Sequence, residues 1–146
     1  MLINRPVQEV WEEIVPAVME IRKDLPWHDW RLQDLYNSCA SGESRIFLRE
    51  DTPASEFFFV LRPTNTPSSR TLFIWLAWSP GIKDKQAPIY FSEIEDIARK
   101  NRCGAVEFVT SREDIVEYAS EFGYKDKMYT IRKEIEVEIE EEEGGI

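Results

Sequence analysis

Histidine occurs once in 146 residues and cysteine only twice. These scarcities remove several kinds of chemistry. With His28 as the sole imidazole, no Ser/His/Asp or Cys/His constellation can be assembled convincingly. His28, with Asp24 and Asp29, is the one candidate for a metal or acid/base cluster. Its spacing matches no established ligand motif, and the plain reading is a loop histidine, so no metal is expected. Cys39 and Cys103 stand far apart inside apolar patterns. They form neither a metal spacing nor a disulfide framework and read as buried thiols in a reducing compartment. No apolar run approaches the ~20 residues that span a bilayer. Arg5 and Pro6 follow Met1 too closely for a signal peptide, so the expected location is cytoplasmic. A GxGxxG loop, a P-loop and a basic patch interleaved with aromatics are also missing.

Basic charge is in deficit as well. The formal net charge is −10, and residues 134–146 contain seven Glu and no Lys or Arg. The acidity is therefore largely a property of the tail. An acidic tail repels phosphate backbones, so neither nucleic acid nor membrane is an expected partner.

What is present suits a packed domain. Hydrophobic residues make up 42% of the chain, including five Trp, five Tyr and eight Phe, and 32% of residues are charged. The expected organisation is one domain over 1–135 followed by an acidic tail over 136–146. Val7, Val10, Trp11, Ile14, Val18 and Ile21 recur at helical spacing over 7–23, with Pro16 expected to kink or split that helix. A second helix is expected from about Trp30 to Ala40, closed by Gly42. Three strand-like segments follow at 44–49, 56–62 and 70–79. Their connections are polar and their apolar runs nearly continuous, as for an antiparallel meander covered on both faces. Ser92 and Glu95 form a capping-box pattern ahead of a helix that stops at Cys103-Gly104. Ala105 to Val109 reads as a strand, Thr110 or Ser111 caps a last helix, and Gly123 ends it. A closing strand is expected after Tyr124, through Met128, Ile131, Ile135, Val137 and Ile139.

This order of elements resembles the GNAT fold of acyl-CoA N-acyltransferases over roughly residues 5–135. Strand 71–79 looks like the family's central strand, whose splayed end admits the acyl-CoA arm. Helix 91–103 looks like the helix after the pyrophosphate loop. Strand 105–109, Ser111-Arg112-Glu113-Asp114, Glu121-Phe122-Gly123-Tyr124 and Met128 to Lys133 resemble its closing elements. The chain is also similar to short GNAT-like proteins encoded by tailed phages, through "VEFVTSRE…FGY…YTIRKEI" and the Trp-bearing strand before it. The resemblance implies an α/β (α+β) domain with a mixed sheet of about five to seven strands and about four helices.

The resemblance also implies acetyl-CoA as the partner of the reaction. Trp78, Ser79, Gly81, Lys83 and Lys85 would hold it, Glu107 would take the amine proton, and Tyr118 is the candidate acid. Two departures weigh against standard transfer. The family's Q/R-x-x-G-x-G/A loop corresponds here to Gly81–Tyr90, with one glycine and with Pro88 removing a donor. The usual acid position holds Ala119, with Tyr118 about 100° away round a helix. Each candidate has an ordinary alternative. Glu107 can simply face solvent or an arginine, and Tyr118 can be a core or surface residue. Trp75, Trp78 and Tyr90 can be core rather than a cleft lining. The competing function is a non-catalytic phage virion or assembly component. It would make protein contacts through the Glu-rich closing strand or a Trp27–Trp30 patch.

Overall fold

A computed structural model of the chain describes residues 2–24, 29–79, 87–110 and 113–125, together with 131, 133 and 135–137. Five strands form one sheet in the order in which they occur: β1 (Leu2–Arg5), β2 (Arg45–Arg49), β3 (Phe58–Asn65), β4 (Arg70–Trp78) and β5 (Ala105–Phe108). The first four are antiparallel, and β5 runs parallel to β4. Among the described residues four helices accompany them: α1 (Val7–Asp24), α2 (Leu32–Ala40), α3 (Ala87–Lys100) and α4 (Glu113–Ser120). Among the described residues no helix is long and apolar enough to cross a membrane.

The connections follow from the strand directions. β3 and β4 form a hairpin whose turn is held by reciprocal main-chain bonds between Thr66 and Ser69, with their hydroxyls 2.9 Å apart. A parallel partner cannot be reached by a tight turn, and the chain passes through α3 between β4 and β5. β1 was not expected. Four residues before a proline carry no strand pattern of their own, and pairing with β2, from Leu2↔Arg49 to Arg5↔Ile46, makes them a strand.

The sheet is covered on both faces. On one, Val7, Val10, Ile14, Ala17 and Val18 of α1 and Leu35 of α2 pack against Ile46, Leu48, Phe58, Val60 and Leu76. On the other, Tyr90, Ile94 and Ala98 of α3 pack against Phe59, Leu61, Leu72 and Ile74. A register shift separates Val60↔Leu76 from Leu61↔Ile74 and leaves Trp75 as the extra residue of β4. Such a bulge shifts the alternation of its strand by one residue. Leu72 and Ile74 face α3, whereas beyond the bulge Leu76 and Trp78 pack on the α1/α2 side.

Several boundaries differ from expectation. α1 is not split at Pro16. Pro16 lies on the exposed side, and Glu12, whose carbonyl would have received its missing N–H, is exposed too, so solvent can reach that carbonyl. α2 begins at Leu32, where the Asp34 carboxylate accepts the Arg31 N–H at 2.8 Å. α3 begins at Ala87, so Ser92 and Glu95 lie inside the helix and form no capping box. Its buried positions 90, 94 and 98 keep one face back to the first turn. There a proline is tolerated because the first N–H groups have no helical acceptor. Gly123 ends the α4 region with φ +89°, a conformation that favours glycine. Of the expected closing strand, the described residues 131, 133 and 135–137 carry no strand assignment, and the remainder lies outside the described residues.

Candidate active site

β5 pairs with only the first part of β4. The register runs from Thr71↔Ala105 to Ile74↔Phe108 and stops there. β4 continues to Trp78, held on its other side by Val60↔Leu76, Phe59↔Ala77 and Phe58↔Trp78. Among the described residues, Leu76–Trp78 therefore have a ladder partner on one side only, and Trp75, the bulge residue, has none. Their outward N–H and C=O groups form an open edge, which is a ready template for an extended ligand. The two strands are adjacent and parallel, and they do not stay paired along the length of β4.

The faces of the sheet place the side chains around this opening. Val106 and Phe108 pack on the α3 side. Alternation then turns Glu107 to the α1/α2 side, beside its register partner Phe73. Phe73 and Trp75 floor a cleft of about 670 Å³ between the sheet and α2. Trp30 forms one wall, edge-on to Trp75 with ring centroids 5.5 Å apart at 81°. Asp29, Asp34 and Glu43 line the rim, together with Arg62. The guanidinium of Arg62 lies 5.7 Å from the centre of the Trp75 ring and forms an ion pair with Glu43. The backbone hydrogen bond from Arg31 lowers the pKa of Asp34.

The residues singled out from sequence are not all gathered here. Glu107 is exposed on the cleft side of the sheet. Trp78 belongs to the slot through its main chain only. The bulge turns its indole toward the α1/α2 core, where its ring N–H donates to the Ser55 carbonyl at 3.1 Å. Ser79 is half-buried just past the strand, and Gly81, Lys83 and Lys85 lie outside the described residues. Tyr90 is buried in the α3-side core, 4.8 Å from the Phe57 ring. Trp75 alone of the aromatic trio lines the cleft.

Tyr118 packs edge-on against Phe122 at 5.2 Å and at a tilt against Phe91 at 6.3 Å. Phe91 is near the start of α3, so Tyr118 lies on the α3 side of the sheet, across from the face that carries Glu107. The neighbouring Tyr124 donates its hydroxyl to Glu95 at 3.2 Å. Burial first, and then the Glu95 charge, raise its pKa well above that of an ordinary phenol. Burial pushes Cys39 up to about 11, so it stays a neutral thiol at neutral pH. Trp27 and His28 lie outside the described residues, while Trp30 is half-buried under the guanidinium of Arg22. Among the described residues no group of three His, Cys, Asp or Glu is placed to hold a metal.

The fold is that of the GNAT acetyltransferases. A ribosomal-protein-alanine N-acetyltransferase from Brucella melitensis biovar Abortus 2308 superposes with a TM-score of 0.67 at 13% identity, covering 92% of this chain and 99% of that one. A "predicted acetyltransferase with acetyl-CoA" from Clostridium acetobutylicum gives 0.67 at 10% identity, over 92% and 96%. An aminoglycoside acetyltransferase from an uncultured soil sample, in complex with sisomicin, gives 0.67 at 3% identity, over 94% and 96%. No family model and no curated protein sequence matches the chain. At these identities the likeness is one of fold.

The sequence offered Trp75 as a cleft residue but not the rest of the lining. Trp30, Glu43, Arg62 and Trp75 come from four separate segments, and no local pattern joins them. The one available signal was the Trp75 position within an unusually long apolar run.

Proposed function

We propose that the chain is an acyl-CoA-dependent N-acyltransferase. It would hold the pantetheine arm along the open edge of β4 and transfer the acyl group to an amine presented from the cleft under α2. The observation that supports this most is the early end of β4–β5 pairing. On the side away from β3, the main-chain groups of Trp75–Trp78, which have no ladder partner there among the described residues, would suit the amides of a pantetheine arm, which can bond to them as a strand would. The small, exposed Ala77 leaves that stretch unobstructed. The start of α3 offers a favourable dipole to a pyrophosphate, with no acidic residue in its first turn. Lys83 and Lys85 would add point charges. When bound, acetyl-CoA supplies an activated thioester. Glu107 accepts the proton of the incoming amine, directly or through one water. Tyr118 would be the candidate donor to the departing sulfur.

Calorimetric titration with acetyl-CoA tests the reading. Binding is expected, with a stabilisation of about 2.7 kcal/mol at a hundredfold excess over Kd, seen as a higher Tm. No heat and no thermal shift at millimolar acetyl-CoA would remove the proposal. A second reading, a non-catalytic assembly component of a phage particle, has one supporting observation. Ile131, Ile135 and Val137 are 94%, 76% and 76% exposed, and exposed apolar side chains on an alternating segment suit a protein contact. Recovery of the chain in purified particles would support that reading. A chain found only as free monomer would count against it.

A further inference from the structure

We infer that a second cavity, on the α3 face of the sheet, binds a small carboxylate with an apolar body. The inference does not depend on the acyltransferase reading. The cavity measures about 280 Å³, at the small end of the range for small-molecule sites. Phe47, Leu61, Leu72 and Ile97 supply its apolar lining, and Arg45 and Arg70 its positive charge. It is distinct from the open edge of β4. Arg70 opens that strand, and the open edge begins at Trp75, roughly 16 Å further along.

Charge selects the ligand. The strands carry five arginines. Arg5 pairs with Glu9, Arg49 with Asp51 and Arg62 with Glu43. Arg45 and Arg70 have no carboxylate partner among the described residues, and these are the two that line the cavity. Carboxylates are not scarce, with 28 acidic residues against 18 basic ones. Arg70 is half-buried, and its printed bonds go to neutral oxygens, the Asn101 carbonyl at 2.9 Å and the Asn65 side-chain amide at 3.2 Å. These bonds hold the guanidinium in place without neutralising it, and a part-buried charge lacking a counter-charge is costly. Glu43 is the one carboxylate residue of the lining among the described residues, and Arg62 already neutralises it. A ligand carboxylate supplies the missing charge, and its two oxygens match the planar donors of a guanidinium.

The apolar lining narrows the class. Arg45 shares the face of Phe47 by alternation and is the register partner of Leu61. Arg45 and Arg70 thus stand on β2 and β4 with β3 and its Leu61 between them. A bare phosphate or sulfate would meet the arginines and cover none of the apolar side chains. A ring or branched chain carrying a carboxylate does both. Leu61 is paired on both sides, to Arg45 and to Ile74, so an extended peptide finds no strand edge to join here.

The test titrates benzoate, benzamide and acetate into the labelled full chain at fixed ionic strength and follows amide chemical shifts. Benzamide keeps the shape without the charge, and acetate keeps the charge without the ring. Benzoate is expected to bind about tenfold more tightly than either. It should move the signals of Phe47, Leu61, Leu72 and Ile97 and leave those of Leu76–Trp78 in place. Arg45→Gln alters an exposed side chain and should leave the fold intact. It is expected to bring benzoate down to the affinity of benzamide, a loss of about tenfold, with benzamide itself unchanged. A merely structural role for Arg45 would alter both ligands alike. Equal affinities of benzoate and benzamide, shifts confined to the open edge of β4, no shifts at millimolar benzoate, or benzoate binding untouched by Arg45→Gln would each overturn the inference. Saturating acetyl-CoA should leave the affinity for benzoate unchanged. Benzoate binding without acetyl-CoA binding keeps this site and removes the acyltransferase reading alone.

Discussion

Glu107→Gln is expected to lower kcat for acetyl transfer by about 10²–10⁴-fold, the usual worth of a positioned general base. Acetyl-CoA binding should be unchanged, because the side chain faces the α1/α2 side and the proposed ligand would lie along β4. The substitution keeps the shape of an exposed residue, so Tm should hold as well. Steady-state kinetics with an amine acceptor, alongside an acetyl-CoA titration, separate the two effects. Tyr118→Phe is the companion variant. It keeps the ring contacts with Phe91 and Phe122 and removes only the hydroxyl, so a fall in kcat is the expected result. Full activity in Glu107→Gln would remove the base assignment, and full activity in Tyr118→Phe would remove the acid.

Phe58→Ala should cost about 3–5 kcal/mol of stability, the range for emptying a large aromatic site in a packed core. Phe58 is fully buried on the α1/α2 face, between α1 and the centre of the sheet. It is also the register partner of Trp78, so the damage reaches the end of β4 that borders the slot. Urea unfolding gives the stability change. A loss under 1 kcal/mol would mean that this face is packed differently. Acetyl-CoA affinity measured on the folded fraction should fall too, because β4 loses part of the support that holds its open edge in place.

The parts of this fold that were legible in the sequence are those whose signal is local. α1 showed its buried face at residues 7, 10, 14 and 18, and the continuous apolar runs around Phe57–Leu61 and Leu72–Trp78 foretold strands covered on both faces. Features fixed by pairing were not legible. Leu2–Arg5 is a strand because β2 is beside it. The start of α3 at Ala87 outranked a capping pattern at Ser92 because the buried stripe runs back to Tyr90.

The bulge had the largest effect on the site. Strict alternation would have placed Trp75 and Trp78 on opposite faces. The extra residue puts both on the α1/α2 side, Trp75 into the cleft and Trp78 into the core. Glu107 was legible as a strand carboxylate, but its face depends on the parallel register with Phe73, which no single segment encodes. The cleft belongs to the same class, since Asp29, Asp34 and Glu43, which flank or lie in α2, come together with Arg62, Phe73 and Trp75 of the sheet only in the folded chain.

The open edge of β4 is what the account depends on, and amide chemical shifts read it residue by residue. Acetyl-CoA added to labelled protein should move the amide signals of Trp75, Leu76, Ala77, Trp78 and Ser79, while those of Thr71–Ile74, still bonded within the sheet, stay nearly fixed. Shifts confined elsewhere on the molecule, or none at saturating acetyl-CoA, would contradict it.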